Sequence, residues 1–151
     1  MGFGGYMKTA FLLTAILCLA SLASAQRIQP PYNVYVEHGT TSVDEQVATA
    51  LAPKINAMQQ FNVVPSINNA DIQVTVLCAQ DTVNKDMTAC AMSVKYWYGY
   101  IPWPIGTTIT LDKTQDAAVD SLFKAFSNSI TQDAIVAAAG HCTAIIKAIR
   151  Q

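Results

Sequence analysis

The chain contains several short segments in which apolar residues recur at every second position or β-forming residues are concentrated. Alternation places successive side chains on opposite sides of an extended backbone, so these segments predict strands with one face in a core. Glycine, asparagine and proline residues separate them, as expected of turns and loops. The predicted strands are Tyr32–His38, Ile72–Ala79, Ala89–Tyr98 and Ile105–Leu111, with a shorter apolar stretch at Val63-Val64.

Between the first two long strands the apolar period changes to that of a helix. Apolar residues at positions 43, 47, 51, 55 and 58 lie on one helical stripe and predict a helix near residues 42–61. Ser42 is the predicted N-cap, and Glu45 closes a capping box with it. Pro53 lies inside this helix and lacks a backbone N–H, so we expect a kink or a break near residues 50–53.

A second helical stripe extends from about residue 115 to residue 150. Residues 127–129 (Ser-Asn-Ser) interrupt it with side chains that favour caps over helix interiors. One long helix and two helices end to end both fit this pattern. The apolar positions are Val119, Leu122, Phe123, Phe126, Ile130, Ala134, Ala138, Cys142, Ile145 and Ile149.

The predicted elements follow the order β-α-β-β-β-α, with a run of strands that favours antiparallel pairing. We therefore predict a single α+β domain over residues 32–151. Its small antiparallel sheet of three to five strands carries the helices on one face. Residues 26–31, which end in Pro30-Pro31, are interpreted as a linker or arm.

The first 25 residues have the composition of an export signal. Lys8 precedes the apolar stretch Ala10–Ala20, and small residues at positions 23–25 form a cleavage site. The apolar stretch is shorter than a membrane span needs, and no longer one follows it. We interpret Met1–Ala25 as a signal peptide and predict a secreted or periplasmic protein with no transmembrane segment after cleavage.

Three of the four cysteines follow this segment, and an oxidising compartment favours one disulfide among them. If the second and third long strands form a hairpin centred on Asn84, Cys78 lies directly opposite Cys90 and apolar residues face each other along the pair. Directly opposed residues are close enough for a disulfide. We predict a Cys78–Cys90 bond and a buried free thiol at Cys142. A bond that involves Cys142, or no bond, is the alternative.

The distribution of charge excludes one class of partner. Nine Lys and Arg residues stand against ten Asp and Glu residues, for a net charge of −1, and the basic residues form no cluster. Nucleic-acid binding requires clustered basic side chains that neutralise phosphates. No nucleic-acid partner is therefore expected.

The sequence contains no established catalytic or phosphate-binding motif and no spacing typical of metal ligands. His141 and Cys142 are neighbours on a predicted helix, where adjacent side chains do not face each other. A thiol couple would therefore need His38 from the first strand. The acidic pair Asp44-Glu45 is interpreted as first-turn residues that complement the helix dipole. We predict no catalytic residues, no metal and no cofactor.

Residues 96–104 (YWYGYIPWP) form the densest aromatic segment of the chain. Its two prolines are incompatible with pairing in a central strand, so residues 99–104 are predicted to form a loop. Alternation directs Tyr96 and Tyr98 towards the core and leaves Trp97, Tyr100 and Trp103 as candidates for exposure. Exposed aromatic rings beside prolines can anchor a protein or a sugar ring. Alternatively, the rings fold back and cap the open end of the sheet. Trp97, Tyr100 and Trp103 are the candidate binding residues.

These observations favour an exported, non-enzymatic binding or assembly domain. Its aromatic loop would contact another extracytoplasmic protein or a glycan. Two alternatives stay open: a thiol-dependent enzyme that uses Cys142 or Cys90, and a small secreted protease inhibitor whose Trp-Pro hairpin enters a protease cleft. A catalytic thiol must be accessible and reactive, which distinguishes the enzyme from the other two classes.

Overall fold

The computed structural model describes residues 29–81, 83 and 87–150. The predicted signal peptide and the first residues of the predicted linker lie outside the described residues. Five strands, three α-helices and one short 3₁₀ helix, Ile67–Asn69, make up the described part. The strands are β1 (Tyr32–His38), β2 (Phe61–Val63), β3 (Ile72–Gln80), β4 (Thr88–Tyr98) and β5 (Ile101–Asp112), and the helices are α1 (Ser42–Asn56), α2 (Gln115–Ser129) and α3 (Gln132–Ile149).

The strands form one mixed sheet in the order β2-β1-β3-β4-β5. β1 is parallel to both β2 and β3, whereas β3, β4 and β5 pair antiparallel. The α+β class is confirmed and the order of elements matches roughly, but the sheet is not antiparallel throughout. The connections explain the difference, because α1 returns the chain to the end of the sheet where β1 begins. The segment with the 3₁₀ helix leads from β2 to β3, and hairpins join β3, β4 and β5.

One core lies between the sheet and the helices. Val34 and Val94 project from β1 and β4 and are fully buried in the same cluster as Leu51 of α1. The opposite face, called the open face below, carries exposed side chains such as Leu77 and Ile109. The sheet is therefore apolar on one face and mixed on the other, as expected when helices cover one side only.

Helix α1 has a different cap from the predicted one. Thr41 Oγ1 accepts the Asp44 N–H at 3.1 Å, and Asp44 Oδ2 accepts the Thr41 N–H at 2.9 Å. The capping box is therefore Thr41/Asp44, and the prediction of Ser42 and Glu45 was wrong by one position. Asp44 also accepts the backbone N–H of Cys78 in β3. This bond to the sheet explains why the capping box uses the carboxylate of Asp44 and not that of Glu45, which is exposed to solvent.

The end of α1 also differs from the prediction. The helix includes Pro53 and ends at Asn56, before the predicted limit near residue 61. The Ala57 N–H donates to the Pro53 carbonyl at 3.0 Å, and the chain then turns into β2. The predicted break near residues 50–53 does not occur, although Pro53 provides no N–H for the Thr49 carbonyl.

The C-terminal helical region consists of two helices. Ile130 ends α2 with φ −95° and ψ 79°, outside the helical range. Thr131 then caps α3 by accepting the Ala134 N–H at 3.1 Å. The sequence pattern allowed one long helix or two helices end to end, and the structure has two. Along the described ranges, no helix is both long enough and apolar enough to cross a membrane.

Strand β5 begins at Ile101, four residues before the predicted strand, and includes Pro102 and Pro104. Because β5 is the last strand of the sheet, prolines interrupt no central pairing. A bulge at Ile105 shifts the β4–β5 register beside Pro104. The segment predicted as a loop is therefore the start of an edge strand.

The predicted register between β3 and β4 is confirmed. Val74 lies opposite Val94 and Cys78 lies opposite Cys90. The structure joins these two cysteines by a disulfide, with their Cα atoms 4.1 Å apart. Cys142 is free and buried on α3.

Candidate contact surface at the hairpin tip

The β4–β5 hairpin ends in a two-residue turn, Gly99-Tyr100, between the paired residues Tyr98 and Ile101. Gly99 has a φ of 62°, in a region that other residues rarely adopt. Glycine with positive φ at the first central position is typical of a type II′ turn, whose twist matches that of the strands. The Tyr100 side chain follows and is 98% exposed. The hairpin therefore presents one aromatic ring to solvent at its tip.

The other two candidate aromatic residues lie on opposite faces of the hairpin. Trp103 pairs with the buried Tyr96 on the helix side, where its ring stacks on His141 with centroids 4.6 Å apart and an interplanar angle of 12°. Trp97 pairs with Pro102 on the open face. Both tryptophans are half-buried. The structure thus does not bring Trp97, Tyr100 and Trp103 together on one face.

Hydrogen bonds hold Trp97 on the open face. Its Nε1–H donates to Gln73 Oε1 at 3.0 Å, and Gln73 Nε2 donates to Glu37 Oε2 at 2.7 Å. The same carboxylate oxygen accepts the Thr75 hydroxyl at 2.9 Å. Gln73 is buried, so its amide needs these partners. The row of polar groups connects the tip of the hairpin to β3 and β1.

Helix α3 supports the hairpin from the other side. His141 stacks on Trp103, and the Cys142 Sγ lies 3.9 Å from the Ile101 carbonyl oxygen. Tyr96 is fully buried beneath them, and this burial raises the pKa of its hydroxyl. The strands at the tip are therefore held on both faces, while Tyr100 extends beyond these contacts.

The structure separates the residues that were considered for thiol catalysis. Burial raises the pKa of the Cys142 thiol, which is the opposite of what a reactive thiol requires, and Cys90 is in the disulfide. His38 pairs with Val76 near the disulfide, and its Nδ1 lies 2.7 Å from the Gly39 carbonyl oxygen. Cys142 lies near the hairpin tip instead. Within the part of the chain described, no three His, Cys, Asp or Glu residues are arranged to hold a metal ion.

The sequence analysis missed a second polar constellation, at the disulfide end of the sheet. Burial opposes ionisation of the Asp44 carboxyl, but hydrogen bonds from Cys78 and Thr41 outweigh it and lower its pKa. A Cβ at Gly39 would lie 2.5 Å from Asp44 Oδ2, so the glycine leaves room for the carboxylate. The spacing of Thr41 and Asp44 is the signal that could have revealed this cap. The side-chain oxygens of Asp44 and Thr41 accept hydrogen bonds from backbone N–H groups, so this constellation stabilises the fold.

Comparison with known proteins gives a distant structural likeness. No family model and no curated protein matches the chain. Among solved structures, the chain is similar to a variant of PelC from Paraburkholderia phytofirmans, described as a dodecamer. The two chains are 12% identical with a TM-score of 0.44, over 63% of this chain and 82% of the other.

Proposed function

We propose that this protein is an exported, non-enzymatic binding or assembly domain that contacts another extracytoplasmic protein through the tip of the β4–β5 hairpin. The exposure of Tyr100 on a tight, well-supported turn is the observation that carries the proposal. Tyrosine supplies a large contact area with few rotamers to immobilise, and it is enriched where binding energy concentrates. Ile101 and the exposed Pro102 extend the apolar surface beside it.

The chemistry of the cysteines supports binding over thiol catalysis. Cys142 is buried and its pKa is raised, and the other two described cysteines form the disulfide. A protein partner is also favoured over a glycan. Of the three candidate rings, only Tyr100 is fully accessible for stacking on a sugar, since Trp103 stacks on His141 and Trp97 is half-buried. Insertion of the tip into a protease cleft is one form that such a contact could take.

Photocrosslinking in the cells that produce the protein tests this proposal. A photoreactive phenylalanine analogue replaces Tyr100 in one version and Lys113 in a matched control. Lys113 is also exposed, but it follows the opposite end of β5. The expected result is a discrete protein adduct from position 100 that position 113 does not give. Mass spectrometry then distinguishes a second copy of the chain from a different protein.

In a second experiment the photoreactive residue replaces Ile101, and the side chain at position 100 is varied. Tyr100→Ala should lower the adduct yield strongly, whereas Tyr100→Phe should retain most of it, because the apolar ring supplies most of the contact area. Equal adduct yields from positions 100 and 113, or a yield at 101 that does not depend on the ring, would contradict the proposal.

A further inference from the structure

The two edges of the sheet differ in length and in how their backbone groups are satisfied. Strand β2 forms one edge with only three residues, and its Val63 N–H donates to Asn56 Oδ1 at 3.0 Å. Strand β5 forms the other edge with twelve residues. Among the residues that the structure describes, no strand lies on its outer side. Its outward N–H and C=O groups are therefore a template for another strand.

Protection of the β5 edge is confined to its first half. Prolines and bulges are common devices against unwanted edge pairing, and Pro102, Pro104 and the bulge at Ile105 all occur before Gly106. The segment 106–111 (GTTITL) has no proline and no charge. On its open face Ile109 is 84% exposed and Leu111 is 66% exposed. These six residues before Asp112 are therefore uncharged, and they carry two exposed apolar side chains on the open face.

Helix α3 provides an independent observation, because it extends past the same edge. The Tyr32 hydroxyl of β1 donates to Gln132 Oε1 at 2.8 Å, and Cys142 lies against Ile101 of β5. Ten helical residues advance about 15 Å, and the three strand spacings from β1 to β5 amount to about 14 Å. The helix therefore crosses the sheet between these contacts.

The last two turns of α3 continue beyond β5. Residues 143–149 add about 10 Å, or roughly two strand spacings. Ile145, Ile146 and Ile149 continue the stripe of Cys142 at the helical spacings of three, four and seven residues. Burial falls off after Cys142, and Ile149 is 76% exposed. An apolar helix face thus extends past the β5 edge at its Ile101 end.

We propose that a second copy of this chain pairs its β5 antiparallel with this β5 about a two-fold axis perpendicular to the sheet. Antiparallel pairing of a strand with itself is self-complementary, so the same uncharged segment supplies both sides. The axis keeps both helical layers on the same side of the joined sheet. The overhanging turns of α3 then pack against the partner's helical layer. This proposal does not rest on the hairpin tip, which is a different surface.

Sedimentation velocity on protein produced from the full coding sequence tests the proposal over micromolar to submillimolar concentrations. The wild-type chain should form a reversible dimer. The double variant Thr107→Lys/Ile109→Lys places charges on the open face of β5, where like charges meet across the two-fold axis and should weaken the dimer by about tenfold or more. Leu77→Lys is the matched control, since Leu77 is an exposed residue of the same face on the central strand β3.

Hydrogen–deuterium exchange of the unsubstituted protein provides a test that does not depend on how the variants fold. Exchange in residues 106–111 should slow as the concentration rises, and exchange in Phe61–Val63 should not change. Slower exchange at β5 together with an unaffected Leu77→Lys dimer supports the proposal. A wild-type chain that is monomeric throughout, a double variant that dimerises as well as wild type, or a control that is weakened equally would overturn it.

Discussion

The two ends of the sheet use their side chains in opposite ways. At the disulfide end, Asp44 accepts hydrogen bonds from Cys78 and Thr41 and is only 3% exposed. At the hairpin end, the turn directs Tyr100 into solvent. The Asp44 carboxylate is committed to hydrogen bonds within the fold, whereas the Tyr100 ring is almost fully exposed. Substitutions at the two ends should therefore separate stability from binding.

The largest loss of stability is expected from Asp44→Ala. This change leaves the buried N–H of Cys78 without its acceptor and removes half of the α1 capping box. The combined effect should lower the free energy of unfolding by about 3–4 kcal/mol. Denaturant titration measures it. Glu45→Ala is the control at the neighbouring, exposed position and should change stability by less than about 0.5 kcal/mol; equal losses would refute the assignment of the cap.

Removal of the disulfide is expected to have the next largest effect. The bond closes a loop with a sequence separation of 12, and a loop of this size is stabilised by about 3 kcal/mol in the chain-entropy model. The Cys78→Ala/Cys90→Ala variant should therefore lose about 2–3 kcal/mol in denaturant titration. Non-reducing peptide mapping of the wild type provides the check on connectivity. A disulfide peptide that contains Cys142 would contradict the structure.

Acid should weaken the disulfide end selectively. Because the pKa of Asp44 is lowered in the folded state, its ionised form stabilises the fold above the ordinary carboxyl pKa. That contribution is lost as the pH falls through the lowered value. Urea midpoints of wild type and Asp44→Asn, measured from neutral pH to strongly acidic pH, should therefore converge as the pH falls. A constant difference between the two would show that Asp44 does not titrate as proposed.

Local patterns identified much of this architecture. Apolar residues alternate along both β3 and β4, and the pairing of Val74 with Val94 places the two apolar sets on the same face. A slip by one residue would turn one of these sets outward, so the pattern predicts the register. That register also placed Cys78 opposite Cys90. The position of the α1 cap was ambiguous, since Thr41 and Ser42 are both good caps. The choice depends on the Cys78 N–H, which is distant in sequence.

Other features depend on contacts that local patterns do not encode. The parallel pairing of β1 follows from the path of α1 across the sheet, and no residue of β1 specifies it. The position of Trp103 could have been predicted from the sequence. A two-residue Gly99-Tyr100 turn pairs Trp103 with Tyr96 and therefore directs it to the helix side. Reading Pro102 and Pro104 as a loop concealed this pairing, because prolines are excluded only from central strands.

A smaller effect is expected from His141→Ala. This change removes the ring that stacks on Trp103, and an aromatic pair contributes about 0.5–1.5 kcal/mol beyond its buried area. Because His141 is exposed, the loss in the free energy of unfolding should lie at the lower end of this range. The indole fluorescence of the variant should also change. Thr143→Ala, at another exposed position of α3, is the control.

The central claim is that Tyr100 contributes to contact and not to the fold. Denaturant titration of Tyr100→Ala beside wild type tests it most directly and requires no knowledge of the partner. Because the ring is 98% exposed, the free energy of unfolding should stay within about 0.5 kcal/mol of the wild-type value. A loss of more than about 1 kcal/mol would show that the ring supports the hairpin and would contradict the division between the two ends.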